Sequence, residues 1–137
     1  MENCVISESA NVATDTKVGA FVVIGDNARI GKGCVIGNNV IIHGDTEIGD
    51  NVRIDDNTIV GKAPMRAANS AVTKDQQLPA CIVGSNCIVG TNVVVYRGCR
   101  IGQKVLIADL STVRENVTIG DYTIVGRGGR KISENFK

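Results

Sequence analysis

The sequence predicts an all-β solenoid, and three observations carry that expectation. From Ile24 to Val60 an Ile or Val returns every six residues, usually followed by Gly and then Asp or Asn: IGDNAR, IGKGCV, IGNNVI, IHGDTE, IGDNVR, IDDNTI. Six is neither the helical nor the plain strand period, and it suits one short strand and one turn per hexapeptide. Ile and Val are abundant, whereas Leu occurs only at Leu78, Leu106 and Leu110 and aromatics only at Phe21, Tyr96, Tyr122 and Phe136. β-branched residues favour strands, so little helix is expected. Asn, Asp and Gly recur at a fixed point of each repeat, as tight corners require.

With the Ile or Val as position one, the repeat runs from Ile6 to Val60 and again from Val83 to Val125, ten plus eight hexapeptides. Position five is small or β-branched, as at Ala28, Cys34, Val40, Cys87 and Cys99, so positions one and five should point inward. Position four is often Asn, Asp or Gly, as at Asn27, Gly33, Asn39, Asp45, Asn51 and Gly98. These types tolerate a left-handed backbone.

One interruption breaks the rhythm. Val60 to Val83 is 23 residues where six are expected, and the excursion from Lys62 to Cys81 holds both prolines, Pro64 and Pro79. A long irregular loop in a compact domain usually has a function. The expected organisation is one domain over 1–137, with coils at 5–65 and 82–130, the excursion at 62–81 and a polar tail at 131–137.

Composition bounds the function. A formal charge of +1 gives no electrostatic case for nucleic acid or membrane. MENCVISESA lacks a signal pattern and no apolar run reaches membrane length, so a cytoplasmic location is expected. The five cysteines are odd in number and lack zinc-type spacing. They are expected to be small buried thiols, with no metal.

Over nearly its whole length the chain resembles the hexapeptide-repeat superfamily. The resemblance implies a left-handed parallel β-helix of triangular section, with three hexapeptides per coil. Eighteen hexapeptides then make about six coils, roughly 30 Å tall at about 4.8 Å per coil. Equal positions of successive coils stack into ridges. At position two, one ridge reads Ala13, Gly31, Gly49, Gly84, Gly102, Gly120 and another Gly19, Gly37, Asp55, Gly90, Ala108, Gly126. If the excursion replaces no coil segment, the third reads Ser7, Gly25, His43, Gly61, Tyr96, Arg114; if it does, Tyr96 and Arg114 move to another ridge, while the only His and the departure of the excursion stay aligned. The ridge with the histidine is the expected working one.

On it, His43 is the candidate general base. Asp45 is placed to orient the imidazole, or is a turn residue. Tyr96 is a candidate substrate contact, or packs against the loop. Asn69, in the polar middle of the excursion, is a candidate acceptor contact. Arg97, Arg100 and Arg114 suit the phosphates of a nucleotide-bearing co-substrate, or are solvated surface.

The resemblance implies acyl transfer from acetyl-coenzyme A or another acyl-coenzyme A to an amino or hydroxyl group of a sugar or small polar acceptor. It also implies a homotrimer with sites between subunits. The chain looks most like the nucleotide-sugar N-acyltransferases. It lacks the Gly-x-Pro-Ala-Lys stretch and the Thr-Asn-Asp loop motif of several relatives, which keeps open a non-catalytic trimeric structural or binding relative. A γ-class carbonic anhydrase needs three His ligands and is excluded by a single His.

Overall fold

The computed structural model describes residues 3–65, 67–68, 77–126 and the backbone of 131–133. Its strands are mostly two residues long and form three sheets, one per side of a prism. The first sheet stacks β1 (Val5–Ile6), β4 (Val23–Ile24), β7 (Ile41–Ile42), β10 (Ile59–Lys62), β13 (Val94–Tyr96) and β16 (Thr112–Val113). The second stacks β2 (Asn11–Val12), β5 (Arg29–Ile30), β8 (Glu47–Ile48), β11 (Ile82–Val83), β14 (Arg100–Ile101) and β17 (Thr118–Ile119). The third stacks β3 (Lys17–Val18), β6 (Val35–Ile36), β9 (Arg53–Ile54), β12 (Ile88–Val89), β15 (Leu106–Ile107), β18 (Ile124–Val125) and β19 (Lys131–Ser133). The chain therefore visits the three sides in turn, and every pairing is parallel except that of β18 with β19.

The hexapeptide explains this geometry. Position one is the inward residue of each strand; Ile24, Ile36, Ile42, Ile54, Val60, Val89 and Ile107 are at most 2% exposed. Position five fills the axis between them, with Val22, Ala28, Cys34, Val40, Val52, Cys87, Val93 and Cys99 buried. Position four turns the corner. Asn27, Gly33, Asn39, Asp45, Asn51, Asn57, Asn86, Asn92, Gly98 and Asn116 all have φ between +57° and +87°. Phe21, Lys104, Leu110 and Tyr122 occupy the same position with φ from +57° to +66°. A bulky residue there costs about 1–2 kcal/mol, which the stacked neighbours over-determine.

Polar side chains at position five are satisfied along the axis. Cys34 Sγ donates to Gly49 O at 3.2 Å, Cys87 Sγ to Gly102 O at 3.1 Å, Thr16 Oγ1 to Gly31 O at 2.7 Å and Ser111 Oγ to Gly126 O at 2.6 Å. Each acceptor is the corner carbonyl one coil on. The Cys34 and Cys87 thiols are buried, and burial pushes both up.

Two of the ridges are lined by small residues because successive corners touch. A Cβ on Gly84 would meet the Gly102 carbonyl oxygen and, at 2.6 Å, its carbonyl carbon. Both are backbone and cannot move independently of the next coil. Gly84→Ala is expected to lower stability by about 3 kcal/mol, measured by urea denaturation.

Residues 131–137, expected as a polar tail, include a strand. Lys131–Ser133 pairs antiparallel with β18 and covers that edge of the last coil. No helix among the described residues is long and apolar enough to cross a membrane.

Candidate functional site

The excursion leaves from the ridge that carries the histidine. Ile42 on β7 is in register with Val60 on β10, and His43 N–H donates to Val60 O at 2.9 Å. Val60 is in turn in register with Val95, and Val95 with Val113. The ridge Ser7, Gly25, His43, Gly61, Tyr96, Arg114 is therefore real, and the excursion replaces no coil segment.

The ridge is irregular only where the excursion begins. The pairing of β10 with β13 shifts between Val60 and Lys62, so that Lys62 rather than Gly61 faces Tyr96. Gly61 has φ +88°, and a Cβ there would run into Thr46 Oγ1 and approach His43 Cβ at 3.3 Å. Thr46 is fully buried, and its hydroxyl has no partner among the described residues. Its axial acceptor, by the pattern of the other coils, would be the Gly61 carbonyl; the bulge there coincides with the loss of that hydrogen bond.

His43 is half-buried on this irregular corner. Burial, and then the charges of Lys62 and Arg97, hold its imidazole below its ordinary value of 6.5. The neutral ring is therefore the dominant form at neutral pH, as a proton acceptor requires. The sign for stability follows. Folding disfavours the imidazolium, so this contribution is complete above 6.5 and is lost as the pH falls toward the lower folded value.

Tyr96 lies one coil beyond the excursion and is 6% exposed. Lys62 Nζ stands 5.2 Å and Arg114 Cζ 4.1 Å from its ring centroid. The aromatic ring thus brings two cations together along the ridge. The Arg114 side chain is 53% exposed, with Nε 3.1 Å from Glu115 Oε1.

Arg97, the next residue, is half-buried and fully engaged. Its backbone N–H donates to Lys62 O at 2.8 Å. Its Nε donates to Leu78 O, Nη1 to Gly44 O and Nη2 to Asp45 Oδ2, each at 3.0 Å. A cleft of about 380 Å³ between the legs of the excursion is lined by Ala63, Pro64, Gln77, Leu78 and Arg97.

Comparison with known proteins turns on this architecture. A mutant of AntD, an N-acyltransferase from Bacillus cereus in complex with dTDP and coenzyme A, superposes with a TM-score of 0.67 at 24% identity, covering 97% of this chain and 81% of that one. The two share the parallel β-solenoid fold. A putative acetyltransferase from Bacillus cereus follows at a TM-score of 0.63 and 21% identity, covering 96% of this chain and 84% of that one. The UDP-N-acetylglucosamine acyltransferase of Francisella novicida gives 0.64 at 23% identity, covering 92% of this chain. The chain spans 58% of the length of that enzyme. The family model of the GMPPB C-terminal domain matches residues 1–63. A search of curated proteins found no match.

On this hexapeptide-repeat scaffold the residues singled out from sequence separate. His43, Asp45, Tyr96, Arg97 and Arg114 gather on one ridge. Arg100 does not: it faces outward from β14 on the second sheet, in register with Ile82 and, one coil further, Glu47. Asn69 lies outside the described residues. Asp45 accepts from Arg97 and makes no hydrogen bond to the imidazole. Sequence reasoning overlooked Lys62 as a partner of Tyr96, and Thr46 and Gly61 behind the histidine. The one signal for them was the break in rhythm at Val60.

Proposed function

We propose that the chain is an acyltransferase that moves an acetyl or other acyl group from acyl-coenzyme A to an amino or hydroxyl group of a sugar or small polar acceptor. The observation that carries this reading is the neutral, half-buried His43 on the one ridge from which the excursion departs. In the proposed reaction the acceptor nitrogen attacks the thioester carbonyl. A C–N bond forms, the C–S bond breaks, His43 takes the proton from nitrogen, and the resulting imidazolium returns it to the departing sulfur, which leaves as the thiol. Arg114, exposed beside Tyr96, and Lys62 remain available for the phosphates; Arg97 is already occupied by protein acceptors.

The same reading places the site at a subunit boundary of a homotrimer. The outward face of the first sheet carries Val5, Val23, Ile41, Ile59 and Val94, an apolar stripe that ends beside the His43 ridge. The second sheet presents Asn11, Arg29, Glu47, Ile82, Arg100 and Thr118, with charges breaking the apolar run. A continuous apolar face of this kind suits association with further copies. Neighbouring copies would then wall the open side of the ridge.

The test is direct. Acetyl-coenzyme A is expected to raise the melting temperature by several degrees, and an amino-sugar acceptor to release free thiol from it. A folded trimer that shows neither effect would favour the structural, non-catalytic alternative.

A further inference from the structure

Among the described residues, Arg97 joins the excursion to the histidine turn. Four hydrogen bonds leave Arg97. Its amide holds the outgoing leg at Lys62 O, and its Nε holds the returning leg at Leu78 O. Its two terminal nitrogens hold Gly44 O and Asp45 Oδ2, on the turn that begins with His43. The partners lie 19, 52 and 53 residues away along the chain, so no local structure supplies this link. A planar guanidinium can reach three acceptors at once; an ammonium has neither the fork nor the span.

We infer that Arg97 is a positioning residue, which fastens both legs of the excursion to the His43 turn and keeps the Asp45 carboxylate off the imidazole. This inference rests on the acyltransferase reading for its catalytic meaning, though not for its physical test. The charges that act on the ring are those of Lys62 from the coil above and Arg97 one coil beyond, and the Asp45 carboxylate stands two residues on, on the same turn. Asp45 has φ +66°, with its amide bonded to Asp26 O at 2.8 Å, so its backbone is fixed. Only its side chain is free to choose a partner, and Arg97 has taken it. The guanidinium thus favours the neutral ring twice, by its own charge and by occupying the carboxylate on the same turn. It also makes the position of the loop base depend on the geometry of the base residue.

This chain has one histidine, so its imidazole resonances are unambiguous. In Arg97→Gln the His43 titration is expected to move upward by about half a pH unit or more. Amide exchange over residues 62–65 and 77–80 is expected to speed up about tenfold. Arg97→Lys should restore the titration and leave the exchange fast, because it returns the charge without the fork. Unchanged titration and exchange in a folded Arg97→Gln protein would overturn the inference. So would weaker coenzyme A binding with both unchanged, which would make Arg97 a phosphate ligand. Loss of the acyltransferase reading alone, seen as no thiol release by the unaltered protein, would leave these two readouts where they stand.

Discussion

His43→Ala is expected to leave the prism folded and to cut acyl transfer about a hundredfold. The fold should survive because the contribution of this residue to the ladder is its backbone, through His43 N–H to Val60 O, and alanine keeps it. The rate should fall because no other side chain on the ridge is a neutral base near pH 7: its neighbours are two cations, a buried tyrosine and a carboxylate held by Arg97. The measurement is kcat at saturating acyl-coenzyme A, with circular dichroism as the control. The acid limb of the pH–rate profile, set below 6.5 by the depressed imidazole, should vanish with the side chain. A rate within threefold of the unaltered protein would remove His43 from the chemistry.

The largest effect on stability is expected at Ile42→Ala, about 2–5 kcal/mol. Ile42 is fully buried and stacks in register between Ile24 and Val60. In a globular core, neighbours can relax into the space a deleted side chain leaves. Here the coils above and below are fixed by parallel ladders on all three sides, so the cavity should persist near the upper end of that cost. Urea denaturation would read it as a lower midpoint. A loss under about 1 kcal/mol would mean that the coils close around the gap, and that the stack is softer than its ladders imply.

Much of this architecture was legible because a hexapeptide solenoid repeats its rules. Each Ile or Val at position one names an inward residue, and each Asn or Gly at position four names a corner. The register across the excursion was not legible: 23 residues is no multiple of six, so the sequence left open whether the excursion replaces a coil segment, and only the pairing of Val60 with Val95 fixes it. Phe21, Lys104, Leu110 and Tyr122 were not legible as left-handed corners, because there the stack imposes a backbone their own preferences oppose. Nor was the bulge at Gly61 and Lys62, which depends on where the excursion pulls the chain. Arg100 read as a neighbour of Arg97 because it is three residues away, but the corner at Gly98 carries it onto another side of the prism. Arg97 read as a phosphate ligand because a sequence shows a charge and not the acceptors that a fold delivers to it.

Mapping acetyl-coenzyme A onto the amide resonances of the chain tests the shared ridge most directly. The shifts are expected to gather at 43–45, 61–65, 77–80, 96–97 and 114, with the single imidazole moving among them. Shifts confined to the second sheet around Arg29 and Arg100, or to either glycine-lined ridge, would contradict a working site built on the histidine and the excursion together.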